Sequence, residues 1–258
     1  NPNIEKDKYQ DYDIVFVVTE TGSFIADRNW LNDFGNITFV FEGLWNQVQF
    51  GMDATSIDFT RRYVWLMLLE DGNRIDLVIE IKEESIKNFT DNKLTVLLLD
   101  KDGFLPEIPP VTDENYHIER PNAKKYTACC NGFWWFLNDV AKGIARDELP
   151  FAKGSFDTHI RLLLNQMIDW YIGTQTEFSI STGKMGKYYK KYLPKKLYGL
   201  YAQTYSDSNY KNFWNSIFAS CELFKMTASY VGNHFGYEYN CKQENSMLNY
   251  IKRVKDCT

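Results

Sequence analysis

Histidine is scarce in this sequence and closely spaced cysteine pairs of the metal-binding kind are missing, which argues against a zinc site. His117, His159 and His234 are scattered, and no two of the five cysteines have the C-x-x-C spacing. An odd number of cysteines also argues against the disulfide framework of a small secreted protein. We therefore expect reduced thiols and a cytoplasmic location.

The sequence also lacks an apolar run of about eighteen residues, the length that a transmembrane helix needs, and it shows no signal peptide. Asp and Glu total 34 against 29 Lys and Arg, which gives a net charge of −5. This balance provides no global basic field for holding nucleic acid. We expect neither a membrane nor a nucleic-acid partner, and a cationic small ligand suits the charge better.

Apolar residues are abundant enough to build a sizeable core in one large or two modest domains. Hydrophobic residues make up 44% of the 258 residues and aromatic residues 16%. Residues 106–119 form a polar, proline-containing linker, and helical periodicity dominates beyond it. The sequence therefore predicts an α+β protein, with a mixed α/β domain (residues 1–115), which the resemblance described below implies is nucleotidyltransferase-like, followed by a C-terminal helical bundle domain (residues 116–258).

The apolar patterns also predict individual elements. Strands are expected at residues 14–18, 36–41, 62–70, 74–81 and 95–99, the third and fourth joined as a hairpin by Asp71-Gly72-Asn73. Helices are expected at residues 23–34, 82–89, 121–144, 155–173, 187–193, 195–205 and 209–235.

Two acids stand at the start of the first apolar strand. Asp11 and Asp13 are two residues apart, so on a strand their side chains project from the same face. Two neighbouring carboxylates repel each other and need compensation, which a hard cation such as Mg²⁺ provides. The alternative is ordinary, because an Asp before a strand is often a turn former or a helix cap.

A third acid, Asp76, lies inside the apolar strand 74–81, where Asp is uncommon and a buried charge is costly unless it is paired. Alone, it is explained equally well as a solvent-facing residue of an edge strand. Together, Asp11, Asp13 and Asp76 would form a three-carboxylate site. Such sites hold the metal ions of phosphoryl and nucleotidyl transfer, and one carboxylate can also accept the proton of the nucleophile.

An ordered set of segments resembles a known family. These segments are DKYQDYDIVFVV, LEDGNRIDLVI, LLLDKDGF, CCNGFWW, KGIARDEL and STGKMGKYYKKYL. They are similar to the aminoglycoside 6-adenylyltransferases, also called streptomycin adenylyltransferases, of the nucleotidyltransferase superfamily. The resemblance implies that Asp11 and Asp13 hold metal and that Asp76 is a metal ligand, a general base, or both. It implies Mg²⁺ and ATP as cofactor and co-substrate, and a cationic aminoglycoside as partner.

The same resemblance implies a Gly-Ser-Arg segment that cradles the nucleotide phosphates, and a first helix and strand, all of which would precede Asn1. It also implies that basic residues of the helical domain contact the triphosphate. Lys184 and Lys187, in the glycine-containing loop 181–187, are the candidates. Without the resemblance, an exposed basic start of a helix explains them better, since four more lysines follow closely.

Acids of the helical domain are candidates for contacting a polycationic acceptor. Glu148 follows the long helix, where an acid opposes the helix dipole, and Asp169 lies within the next helix. A solvated helix end is the ordinary explanation for Glu148.

The function that the resemblance implies is transfer of AMP from Mg·ATP to the 6-hydroxyl of streptomycin, with release of pyrophosphate and resistance to the antibiotic. One alternative is the same chemistry on another aminoglycoside or on a protein hydroxyl. Another is a nucleotide-binding module without catalysis.

Overall fold

The computed structural model describes residues 7–43, 57–88 and 92–257. The chain divides into two compact units, Asn1–Asn115 and Tyr116–Thr258. The catalytic and substrate-binding roles assigned to these two parts stay predictions. Among the described residues, no helix has both the length and the apolar character needed to cross a membrane.

A mixed sheet forms the centre of the first unit. In the described residues its strands are β1 (Asp11–Val18), β2 (Ile37–Glu42), β3 (Arg62–Leu69) and β4 (Arg74–Ile81), in the order β1-β4-β3-β2. β1 runs parallel to β4, whereas β3 is antiparallel to both β4 and β2. The predicted hairpin is confirmed as β3 and β4.

The segment after β1 contains two short helical pieces where one helix was predicted. Helix α1 (Gly22–Ala26) and a 3₁₀ helix (Asn29–Phe34) are separated at Asp27, whose backbone is extended (φ −115°, ψ 115°). The Asp27 carboxylate accepts the backbone N–H of Asn29 at 3.0 Å. Such a local side-chain bond competes with helical hydrogen bonding and breaks the helix there.

The two faces of the sheet differ in character because side chains alternate along each strand. One face is buried and carries Trp65, Met67, Leu77 and Ile79. The Trp30 ring of the 3₁₀ helix packs edge-on against the Trp65 ring, at 5.5 Å between centroids. The opposite face carries the charged residues of β1 and β4. A polar functional site in this unit would therefore lie on the charged face of the sheet.

The predicted strand at 95–99 is wrong. After helix α2 (Lys82–Asn88), whose predicted last residue Phe89 lies outside the described residues, residues 95–99 are irregular. Leu98 is 84% exposed and Leu99 70%. A short apolar run has strand propensity, but it forms a strand only where a partner edge pairs with its backbone.

The second unit is helical, which confirms the α+β class with a helical C-terminal region. Its helices are α3 (Ala123–Ala145), α4 (Leu149–Ser155), α5 (Arg161–Gln175), α6 (Tyr189–Tyr192), α7 (Lys195–Ala202), α8 (Tyr210–Phe235) and α9 (Cys241–Asp256). A π-helical turn, Phe156–Ile160, joins α4 to α5, so the predicted helix 155–173 is part of a longer helical run.

The core of this unit lies between its long helices. Asn122 caps α3 by accepting the backbone N–H of Lys125 at 2.8 Å, directly after Pro121. The fully buried rings of Phe133 on α3 and Phe224 on α8 stack with 3.8 Å between centroids. Helix α9 was not predicted, because its sequence is mostly polar and its apolar stripe is narrow.

Candidate active site

The three predicted acids of the first unit lie on one face of the sheet. In the parallel pairing of β1 with β4, Asp11 is opposite Arg74 and Asp13 is opposite Asp76. Residues opposite each other in a sheet, and residues two apart on a strand, project from the same side. The β1–β4 pairing therefore places Asp76 on the same face as Asp11 and Asp13, which are distant from it in the sequence.

Asp13 carries the electrostatic cost of this arrangement. Although part of its surface is exposed, partial desolvation of its carboxyl raises the pKa of Asp13 above the usual range. The negative charges of Asp76 and then Asp11 raise it further, and the charge of Arg74 acts in the opposite direction. An added cation would therefore be favoured beside Asp13.

Arg74 is a member of this cluster that was not predicted from the sequence. Its Nε donates to Asp76 Oδ1 at 2.8 Å, and its Nη2 donates to Asp76 Oδ2 at 2.7 Å. Its Nη1 lies 3.7 Å from Asp11 Oδ2. The signal was present in the sequence, because Arg74 precedes Asp76 by two residues and so shares its strand face.

The residue types fit a divalent cation, because carboxylate oxygens are the ligands that Mg²⁺ prefers. Their side chains do not converge on one point, however. In the part of the chain that the structure describes, no group of three His, Cys, Asp or Glu residues is arranged to hold a metal ion. In this structure both oxygens of Asp76 accept hydrogen bonds from Arg74.

The loop with the candidate phosphate contacts differs from its predicted form. A 3₁₀ turn (Lys184–Gly186) precedes α6, which begins at Tyr189 and not at Lys187, and which has four residues. So short a helix has no developed N-terminal dipole for binding an anion. Lys184 and Lys187 are exposed, and Lys187 Nζ lies 5.0 Å from the centre of the Tyr188 ring. Their role as phosphate contacts stays a prediction.

Asp169 lies on α5 and lines a cavity of about 540 Å³ within the helical unit. Its Oδ1 accepts the hydroxyls of Thr182 at 2.8 Å and Tyr189 at 2.9 Å. Burial raises the pKa of Asp169, and these two bonds act against that rise. No described residue donates to its other oxygen, Oδ2, which leaves one carboxylate oxygen for a ligand.

The other walls of this cavity combine aromatic and charged groups. Tyr116, Trp170 and Tyr189 are among its lining residues. Glu119 also lines it and accepts from Lys125 Nζ at 3.1 Å. Lys184 and Lys187 are not among the lining residues, although the neighbouring loop residues Gly183, Met185 and Gly186 are.

Glu148 lies elsewhere in the helical unit and is not among the residues that line this cavity. α3 ends at Ala145, and Glu148 is the N-cap residue of α4. An acid at a helix N-terminus is favoured by the helix dipole. The electrostatic cost expected for Glu148 from the sequence is therefore wrong, and its role in binding an acceptor stays a prediction.

Comparisons with known proteins agree with these features. Residues 1–254 match the family model described as streptomycin adenylyltransferase. The chain is 35% identical to an aminoglycoside 6-adenylyltransferase of Campylobacter jejuni, over 99% of this chain and 86% of that protein. It is 34% identical to an aminoglycoside 6-adenylyltransferase of Bacillus subtilis (strain 168), over 93% of this chain and 82% of that protein.

The fold is also similar to that of a solved protein. The crystal structure of an aminoglycoside 6-adenyltransferase from Bacillus subtilis superimposes with a TM-score of 0.52 and 31% identity, covering 95% of this chain and 88% of that one. The match to the family model, the identities and the shared fold lead to one conclusion: the chain belongs to the streptomycin adenylyltransferase family.

Proposed function

We propose that this protein transfers AMP from Mg·ATP to the 6-hydroxyl of streptomycin, releases pyrophosphate, and so gives resistance to the antibiotic. The relatives named above are aminoglycoside 6-adenylyltransferases, which supports the reaction class. The observation that carries the proposal is the pairing of Asp13 with Asp76, which gathers three carboxylates on one sheet face.

In the proposed reaction Asp11, Asp13 and Asp76 would hold the metal. Bound Mg²⁺ would neutralise charge on the phosphates as the transfer proceeds. Asp76 accepts the proton of the acceptor hydroxyl, whose oxygen forms a bond to the α-phosphorus. The bond between the α-phosphorus and the bridging oxygen breaks, and pyrophosphate leaves with the electron pair. Most of the rate enhancement comes from positioning and charge neutralisation.

The cavity beside Asp169 supports a cationic sugar as the acceptor. Its volume of about 540 Å³ lies in the range typical of small-molecule sites. An aminoglycoside carries several positive groups on a hydroxylated frame. It suits a cavity with aromatic walls and a carboxylate oxygen that accepts from none of the described residues. We assign Asp169 to acceptor binding on this basis. Glu148, which does not line the cavity, stays a second candidate, and Lys184 and Lys187 are proposed as phosphate contacts because of the family resemblance.

The direct test is pyrophosphate release by the purified protein with Mg·ATP, measured with and without streptomycin. We expect release that depends on streptomycin and a product whose mass is increased by one AMP. Mg·ATP binding without release would point to a different acceptor, which product mass spectrometry with other aminoglycosides would identify. The absence of both release and nucleotide binding would overturn the proposal.

A further inference from the structure

The guanidinium of Arg74 is a positively charged group on the sheet face that carries Asp11, Asp13 and Asp76. It binds both oxygens of Asp76 and lies 3.7 Å from Asp11. Parallel N–H donation from one guanidinium to both oxygens of one carboxylate is the most directional ion pair that Arg forms. Arg74 therefore occupies the oxygen atoms that a metal ion would need.

The Arg74 contacts are also weak enough to be exchanged. The side chains of Arg74 and Asp11 are 46% and 50% exposed, and that of Asp76 is 20% exposed. The 3.7 Å contact with Asp11 contributes little net free energy, because water competes for both partners, and the bidentate pair with Asp76 is the stronger of the two. A divalent cation bound by three carboxylates gains more than one guanidinium bound by two.

Resting on the function proposed above, we infer that Arg74 is a resident counter-cation that the metal ion displaces from Asp76 and Asp11. In the absence of metal and nucleotide, Arg74 offsets part of the repulsion among the carboxylates and engages both oxygens of Asp76. Release of Arg74 frees both oxygens of Asp76. Arg74 is thus a positioning residue, and its substitution should tighten binding of metal alone while weakening the metal-free fold.

The test is Mn²⁺ binding without nucleotide, measured by calorimetry and by the electron paramagnetic resonance signal of free Mn²⁺. We expect Arg74→Gln to bind Mn²⁺ about fivefold more tightly than wild type, the factor that corresponds to removing one exposed charge pair. Its Tm in EDTA should fall, and its Tm increase on adding Mn²⁺ should exceed that of wild type. Arg74→Lys should lie between the two proteins.

Arg62→Gln is the matched control. Arg62 starts β3 as Arg74 starts β4, and its Nε lies 3.8 Å from Glu80 and not beside the three acids. It should bind Mn²⁺ as wild type does. If Arg74→Gln bound Mn²⁺ no more tightly than wild type, the displacement of Arg74 by metal would be overturned. The metal site itself would stand in that case if Asp13→Asn removed the Mn²⁺ binding of the wild-type protein. No Mn²⁺ binding by wild type, even with ATP, would overturn the metal site and the displacement with it.

Discussion

Asp13 and Asp76 are direct partners in the parallel pairing of β1 with β4. Partial desolvation raises the pKa of Asp13, and the negative charge of the neighbouring Asp76 raises it further. A protein fold gains nothing from such repulsion. The pairing is understandable if a cation binds there, and this relationship motivates the first prediction.

Replacing the third acid should remove catalysis without removing the fold. We expect Asp76→Asn to lower kcat by a factor of about 10² or more, because a positioned general base contributes roughly 10²–10⁴-fold. The far-ultraviolet circular dichroism should be unchanged, since the side chain is partly exposed at one end of β4. Pyrophosphate release under saturating Mg·ATP and streptomycin is the measurement.

The control for this variant is Glu70→Gln, an acid in the turn of the same hairpin that accepts a bond from Asn36 at 3.0 Å. It should keep wild-type turnover. If Asp76→Asn retained more than about a tenth of the wild-type rate, Asp76 would not be the general base.

A pair of substitutions separates the structural and binding roles of Asp169. Asn keeps an oxygen that can accept from both Thr182 and Tyr189, so Asp169→Asn should fold normally. Ala leaves the Thr182 hydroxyl without its acceptor, whereas the Tyr189 hydroxyl keeps the backbone carbonyl of Asn165 at 3.0 Å. Asp169→Ala should therefore unfold more easily by about 1–3 kcal/mol. Chemical denaturation compares the two. A well-folded Asp169→Asn protein with wild-type KM for streptomycin would show that Asp169 serves the fold and not the acceptor.

The same carboxyl makes stability depend on pH in a defined direction. Burial raises the pKa of Asp169, so between its ordinary and its raised pKa the native state holds more protons than the unfolded chain. The folded state therefore loses stability as pH rises from the ordinary to the raised pKa of Asp169. Above the raised pKa, the full destabilisation by the buried, ionised carboxyl is present. The stability gain of Asp169→Asn over wild type should therefore be largest at neutral pH and should shrink as the solution is acidified below the raised pKa.

Urea titrations of both proteins across the acidic range would measure this difference. If the stability gain of Asp169→Asn over wild type were the same at every pH, or grew on acidification, the ionised Asp169 carboxyl would not be the group that destabilises the wild-type fold.

Glycine is required at the loop before α6. Gly186 has φ of +72°, and a Cβ there would lie 2.4 Å from a ring atom of Tyr189, whose side chain is buried. We expect Gly186→Ala to lower the free energy of unfolding by about 1–3 kcal/mol, because strain and a clash with a fixed ring act together. Thermal or urea unfolding measures the loss.

Gly199, inside α7, provides the opposite case, since a Cβ there meets open space. Gly199→Ala should raise stability by about 0.5–1 kcal/mol through helix propensity. An equal response of the two glycines would show that the left-handed backbone of Gly186 carries no stability cost for Ala.

The sequence was sufficient for features that depend on local pattern. The hairpin of β3 and β4 was predicted because Asp-Gly between two apolar runs is a strong signal for a hairpin turn. The predicted bounds of both strands agree closely with the structure. The long helices α3 and α8 followed from apolar periodicity. The ordered motifs were enough to identify the family.

Local pattern was not sufficient where neighbours in space decide the outcome. Residues 95–99 have strand propensity, but no partner edge pairs with them among the described residues, whereas α9 forms on a narrow apolar stripe that gains stability from packing. The break at Asp27 depends on one side-chain bond to the backbone.

At the candidate site, the sequence by itself determined which carboxylates are present and that Asp11 and Asp13 share a face, because the period of a strand is two. The tertiary structure alone decided that β1 pairs with β4 in the register that sets Asp76 beside Asp13 and Arg74 beside Asp11. Strand pairing joins segments distant in the chain, and its register follows from packing of the buried face, which no local spacing encodes.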